Sequence, residues 1–285
     1  MNLRTLLILG RASNLPTVWS NLLAGIVFAE AIENVPVVAA TLAGGSFIYI
    51  GGMYLNDYCD AAFDAQYCRE RPIPAGQISR RTVGGLAFLW FFLGFAFLTP
   101  LGWAVTGLSL ALIAAVVAYD FRHKGVAWAP LLMGFCRFLL YFLAPAALPG
   151  RVGWTVIISD AAALALYVAG ITYLARGESR PGKPARWALL LLLAPVVLPV
   201  FVGLPNFLFL HWLGAVALLL AWMVWLLVPF WRKTKPSIGR VVSGLLAGIV
   251  LVDIVAVTPV VGFEAALFLP LFLLALLLQR FVPAT

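Results

Sequence analysis

The sequence predicts a bundle of transmembrane α-helices, and three observations predict it. Of the 285 residues, 64% are hydrophobic and 11% are charged, and the mean hydropathy is +1.03. Apolar segments of about 20 residues, the length that crosses a bilayer as a helix, follow one another along the chain. Basic residues collect in every second loop, as the positive-inside rule predicts. We therefore expect one polytopic all-α domain over residues 1–285.

Ten apolar segments are candidate spans, and the last two could instead be one span and a re-entrant piece, so we expect nine or ten. They cover, in chain order, residues 14–32, 36–56, 82–99, 101–119, 126–148, 154–174, 186–204, 206–230, 240–259 and 263–281.

The positive charge follows this topology. Every Lys and Arg lies on one side of the predicted spans, except Arg151 on the other side and Arg137 inside the fifth span. We expect both termini and the basic loops in the cytoplasm, in a multi-pass protein of a bacterial cytoplasmic membrane. The net charge of +8 is thereby explained without nucleic acid, and no protein partner is indicated. The three cysteines lack the spacing of a disulfide framework or a zinc site.

An acidic motif follows the second segment. Asp57, Asp60 and Asp64 are spaced i, i+3 and i+7, so they share one face of a helix. Three carboxylates at the mouth of a membrane helix repel one another unless they hold a cation. Their hard oxygens suit Mg²⁺, which keeps waters and bridges to phosphate oxygens. The alternative is a solvated helix end.

Polar and basic residues flank this motif. Asn56 precedes it and can hydrogen-bond to a phosphate or to a water on the ion. Arg69 and Arg71 follow it and are candidates to bind phosphate oxygens directly. The sequence therefore points to a diphosphate bound at a membrane surface.

The string N-D-x-x-D-x-x-x-D, followed by R-x-R-P-I-P-x-G-x-I-S, resembles the UbiA superfamily of intramembrane prenyltransferases. The resemblance implies a helix bundle around a central cavity that opens to the cytoplasmic face. It also implies that Asp57, Asp60 and Asp64 are catalytic and hold Mg²⁺ on the diphosphate of an isoprenoid donor.

A second polar string closes the fourth segment. The family usually has a Tyr and a base here, so the resemblance implies that Tyr119 and Lys124, with Arg122, cover the diphosphate, and that Lys124 is catalytic. The alternative is a basic loop that follows only from the positive-inside topology.

The sequence departs from the family after the sixth segment, where the family has a second motif such as D-x-x-x-D for a second Mg²⁺. This chain has I-T-Y-L-A-R-G-E, in which Glu178 is the only acidic residue and so the one candidate ligand. Either one ion is retained and Arg176, with Lys183 or Arg186, neutralises the diphosphate, or the site no longer ionises a donor. The Y-L-A-R-G-E string is similar to a divergent UbiA-like branch found in ebo-type biosynthetic clusters.

Lone polar residues lie within the predicted spans. Arg137 is expected to face a cavity or a partner, so it could reach the diphosphate or pair with Asp253. Asn21 is expected to make a hydrogen bond between helices.

Two functions remain open. The first is a Mg²⁺-dependent prenyltransferase that moves an isoprenoid chain from a prenyl diphosphate to a small aromatic or hydrophobic acceptor in the lipid bilayer. The second is a UbiA-fold protein that binds or moves a lipid or metabolite precursor without prenylating it. A CDP-alcohol phosphotransferase is disfavoured because the D-G-x-x-A-R string is absent, and soluble prenyl synthases lack the spans.

Overall fold

The computed structural model describes residues 2–122, 126–148, 150, 152–176, 187–203, 208–231 and 238–284. These residues contain fourteen α-helices and no β-strand, which confirms the all-α fold class. The helices are α1 (Leu3–Leu9), α2 (Leu15–Phe28), α3 (Val35–Tyr67), α4 (Arg80–Leu98), α5 (Trp103–Arg122), α6 (Ala129–Leu140), α7 (Leu143–Ala147), α8 (Trp154–Arg176), α9 (Ala188–Leu191), α10 (Ala194–Val202), α11 (Phe209–Trp231), α12 (Ile238–Ala247), α13 (Ile249–Val261) and α14 (Leu269–Leu278).

Six helical runs among the described residues are long and apolar enough to cross a membrane. They are Val35–Tyr67, Arg80–Leu101, Trp103–Arg122, Trp154–Arg176, Phe209–Val228 and Ile238–Leu278. Three other predicted spans contain shorter helices, namely α2, α6 with α7, and α9 with α10. Prolines explain part of this shortening, since proline disfavours a helical residue before it and lies in the first turn of α6 and of α10. The count of nine or ten crossings remains a prediction, as does the single domain.

The last run reverses direction within the bundle. Its 41 residues would extend about 60 Å as one helix, twice the thickness of the hydrocarbon core. Gly262 ends α13 with a φ of 64°, a left-handed conformation that glycine adopts without strain. After a 3-10 turn, α14 returns, and the Gln279 Nε2 donates to the Ser243 carbonyl of α12 at 3.0 Å.

Close packing of α3 against α4 fixes the helix that carries the acidic motif. A Cβ at Gly94 would lie 2.8 Å from the Gly44 carbonyl oxygen and 2.6 Å from Ile48 Cγ1. Small residues let membrane helices approach in this way. The Ser79 side chain caps α4 by accepting from the Thr82 amide.

A cavity of about 210 Å³, here called the main cavity, lies between α3, α5, α6, α8 and the α12–α13 pair. Its walls are largely apolar, and Ile48, Val116 and Ile171 are examples. Polar residues, among them Arg11 and Asp120, also line it. The predicted central cavity is therefore present, and its opening to the cytoplasmic face remains a prediction.

Candidate active site

Two of the three motif carboxylates converge on one cation. Asp57 and Asp64 are buried on α3, with 6% and 3% of their surface exposed. The Nη1 of Arg71 lies 3.0 Å from Asp57 Oδ1 and 3.7 Å from Asp64 Oδ2. The helical spacing of the motif thus brings these two side chains to one point, and the turn after α3 returns Arg71 to them.

The charge of Arg71 is stabilised by this arrangement. Burial alone would lower the pKa of its guanidinium, whereas Asp57 and Asp64, with Asp60, raise it, and the net pKa is raised. Arg71 therefore stays protonated at any physiological pH.

Asp60 lines a different space. It borders a wide second cavity of about 600 Å³, beside the main one, together with Asp120 and Arg122. Among the described residues no group of three or more His, Cys, Asp or Glu side chains is arranged as a metal site. The three aspartates therefore do not form a ready-made three-ligand cluster.

The residues nevertheless fit Mg²⁺ in donor type. Mg²⁺ is bound by one or two carboxylates, with waters and substrate phosphates completing its octahedral shell. Asp57 and Asp64 already reach a shared cation, and Asp60 and Asp120 face one cavity. Both pairs offer hard oxygens, and the second pair lies next to a space that admits a phosphate.

A hydrogen-bonded chain ties α3 to its neighbours. Arg11 Nη2 donates to Asn56 Oδ1 at 3.3 Å, and Asn56 Nδ2 donates to Asp120 Oδ1 at 3.1 Å. Arg11 Nη2 also lies 4.0 Å from Asp57 Oδ1. The chain links the turn before α2, the C-terminal half of α3 and the end of α5. These three segments meet at what we call the acidic end of the bundle.

Arg11 and Asp120 were missed as site residues. Asp120 is 4% exposed and lines both cavities. Its position in the sequence could have identified it: Asp120 follows Tyr119 at the end of the fourth predicted span, on the same predicted side of the membrane as the acidic motif. Arg11 was counted only among the basic residues that set the membrane topology, although it directly precedes the first span.

The other predicted phosphate-binding residues are dispersed. Tyr119 lines the main cavity and Arg122 the second cavity. Arg69 is exposed, and its Nε donates to the Ala65 carbonyl of its own helix. Arg176 Nη1 donates to the Val126 and Ala127 carbonyls at 3.0 and 3.2 Å, so it secures the segment before α6. Lys124, Glu178, Lys183 and Arg186 lie outside the described residues.

Arg137 belongs to a buried network on the wall of the main cavity. Its Nη1 donates to Asn21 Oδ1 at 2.7 Å, and Asn21 Nδ2 donates to Asp253 Oδ2 at 2.7 Å. The hydroxyl of Tyr141 also donates to Asp253. Of the two predicted roles, the link to Asp253 is present, but it runs through Asn21. Asn21 makes the predicted hydrogen bonds between helices.

Comparison with known proteins agrees with this architecture. The UbiA prenyltransferase family model matches residues 15–245. A 4-hydroxybenzoate octaprenyltransferase of Photobacterium profundum is 27% identical over 150 residues, which are 51% of this chain and 51% of the relative. A digeranylgeranylglyceryl phosphate synthase of Methanoregula boonei is 35% identical over 104 residues, which are 31% of this chain and 36% of the relative. The chain thus matches about half or less of the length of these curated relatives.

Two solved structures share the fold. One, from work on digeranylgeranylglyceryl phosphate synthase in membranes, superposes with a TM-score of 0.56 at 16% identity and covers 99% of this chain and 98% of its own. The other, an apo UbiA homolog from Aeropyrum pernix K1, gives a TM-score of 0.53 at 16% identity over 94% of this chain and 98% of its own. The family match covers most of the sequence, and the fold agrees along nearly its whole length. The chain is a member of the UbiA prenyltransferase family.

Proposed function

We propose that the protein is a Mg²⁺-dependent membrane prenyltransferase that moves an isoprenoid chain from a prenyl diphosphate to a small aromatic or hydrophobic acceptor. One observation carries the proposal: an apolar cavity adjoins a cluster of carboxylates and arginines. An amphiphile fits both parts, because its anionic head suits the charged cluster and its apolar chain suits the cavity.

The diphosphate would bind at the acidic end. Arg71 and Arg11 supply guanidinium groups, which bind phosphate oxygens in a planar, two-point geometry. Asp57 and Asp64 hold Arg71 in place in the absence of substrate, with Arg71 Nη1 3.0 Å from Asp57 Oδ1. When Mg²⁺ is bound, it would offset the negative charge that develops on the leaving diphosphate.

The transfer itself breaks the bond between the allylic carbon and the diphosphate oxygen, and the diphosphate leaves with the electron pair. An electron-rich atom of the acceptor forms the new bond to the allylic carbon and then loses a proton. Charges fixed around the leaving group before reaction lower the barrier because they need no reorganisation. The apolar walls, such as Ile48 and Val116, would keep water from the allylic carbon.

The test is diphosphate release by the purified protein in lipid nanodiscs with Mg²⁺, a series of prenyl diphosphates and a series of aromatic acceptors. Asp64→Asn should reduce release by at least about 100-fold, the scale seen when a transition-state contact is removed. Glu70→Gln, which removes an exposed carboxylate from the same region, is the matched control. Release that is equal in both variants contradicts the proposal.

The non-catalytic alternative has one observation in its favour. Arg71 pairs with both buried motif carboxylates, and Arg11 Nη2 lies 4.0 Å from Asp57 Oδ1. Two guanidinium groups thus balance the two carboxylates, and a protein that only binds a neutral apolar compound needs no further cation there. The same experiment separates the two functions. A ligand that binds with saturation but gives no diphosphate release with any donor and acceptor would identify a carrier.

A further inference from the structure

The segment after α14 forms one wall of the main cavity. Residues 281–284, here called the strap, alternate in exposure: Phe281 and Pro283 are exposed, whereas Val282 and Ala284 are 6% and 4% exposed. Ala284 lines the main cavity. Ala284 thus borders the cavity, while Phe281 and Pro283 of the same short segment are exposed.

The strap is held by the turn between α1 and α2. Asn14 Nδ2 donates to the Ala284 carbonyl at 2.8 Å, and Ser13 Oγ donates to the Pro283 carbonyl at 3.4 Å. The same turn continues from Arg11, which contacts Asn56 at the acidic end. The strap therefore covers part of the main cavity beside the proposed diphosphate site.

This attachment is weak for a buried contact. Both hydrogen bonds are between neutral groups, which contribute little net free energy because water replaces them on opening. In addition, the Asn14 Oδ1 is buried without a hydrogen-bond partner among the described residues, and an unsatisfied acceptor disfavours the closed state. Opening the strap therefore gives up two neutral hydrogen bonds and the burial of Val282 and Ala284, so the open position is a minor state that exchanges with the closed one.

The small volume of the main cavity favours such an opening. At about 210 Å³ the main cavity is smaller than the roughly 300–1,000 Å³ of ordinary ligand sites. We propose that the strap is a gate: it leaves the turn at Asn14 to admit an apolar ligand to the main cavity and returns to cover it. This inference goes beyond the proposed function because it concerns access and holds for any ligand that enters.

Cys136 offers a probe of access that does not depend on catalysis. It lines the main cavity and is 8% exposed. In a full-length chain that carries Cys59→Ser and Cys68→Ser, it is the remaining thiol. Its alkylation by N-ethylmaleimide, followed by mass spectrometry in nanodiscs, measures how often the cavity is open.

A matched pair of substitutions tests the strap itself. Val282→Asn places a polar amide on the buried side, and Phe281→Asn places the same group on the exposed side of the same strap. Val282→Asn should raise the alkylation rate at least about fivefold, the factor that corresponds to the net free energy of one neutral hydrogen bond. Phe281→Asn should leave the rate unchanged.

A second pair tests the attachment without altering the strap. Asn14→Ala removes the bond to Ala284 and should raise the rate about fivefold. Gln279→Ala removes a bond of the same kind between the end of α14 and α12 and should leave it unchanged. Equal rates within both pairs would overturn the gate. Because the readout is alkylation, this experiment tests the gate even if the protein has no prenyltransferase activity.

Discussion

Arg71 Nη1 lies 3.0 Å from Asp57 Oδ1, although 14 residues separate the two in sequence. The contact places a cation between Asp57 and Asp64 at the acidic end, since the same Nη1 lies 3.7 Å from Asp64 Oδ2. A guanidinium in this position can pass from carboxylate to phosphate when a donor binds.

This relationship predicts a difference between two replacements of Arg71. Arg71→Gln removes the positive charge and leaves two buried carboxylates facing each other, so KM for the prenyl diphosphate should rise at least about tenfold. Arg71→Lys keeps the charge but not the planar fork, so its KM should fall between those of wild type and Arg71→Gln. Arg81→Gln, which removes an exposed arginine, is the control. Steady-state kinetics of diphosphate release measures the effect, and an unchanged KM in Arg71→Gln would exclude Arg71 from donor binding.

Metal removal should act on donor binding rather than on the fold. Without Mg²⁺, the anionic diphosphate meets three carboxylates whose charge Arg71 offsets only in part, so affinity for a prenyl diphosphate should fall at least about tenfold, which is about 1.4 kcal/mol. Isothermal titration calorimetry with and without EDTA measures this change. Circular dichroism under both conditions should be unchanged. Equal affinity in the two titrations would exclude a magnesium-bridged diphosphate.

The buried network predicts coupling between Arg137 and Asp253. Arg137→Met removes the cation that faces Asp253, a side chain that is 0% exposed. Removing one partner of a buried charged network is strongly destabilising, by about 3–5 kcal/mol when the pair is direct. Asp253→Asn should recover part of that loss when the two changes are combined.

A double-mutant cycle followed by thermal unfolding in detergent measures this coupling, which we expect to be about 0.5–3 kcal/mol. Arg81→Met is the control for loss of an arginine at an exposed position. Strictly additive shifts in the melting temperature would show that Asn21 does not transmit an interaction between the two charges.

Helix packing predicts opposite outcomes for two glycines of α4. Gly94→Ala forces a methyl group to 2.8 Å from the Gly44 carbonyl and should destabilise the protein by about 1–3 kcal/mol. At Gly85 an added Cβ meets no atom within 4 Å, so Gly85→Ala should be neutral or stabilise by up to about 1 kcal/mol through helix propensity. Melting temperatures of the two variants test this, and equal shifts would contradict the close approach of α3 and α4.

Much of the fold and part of the candidate site could be predicted from sequence, because both depend on local patterns. Apolar segments of bilayer length predict spans, and the i, i+3, i+7 spacing places Asp57, Asp60 and Asp64 along one helix. The same stretch, continued to Arg71, supports the family assignment. These features need no knowledge of how the helices are arranged around each other.

The tertiary structure alone decided which distant groups meet. Asp57 and Asp64 reach Arg71, whereas Asp60 lines the second cavity. Side chains along one helix point in somewhat different directions, so the surrounding helices determine which group each of them contacts. Asn21 bonds to Arg137 across 116 residues of sequence and to Asp253 across 232 residues, and thereby joins the two. Asn14 bonds to Ala284 across 270 residues. Such contacts depend on the packing of whole helices, and no periodicity within one segment encodes them.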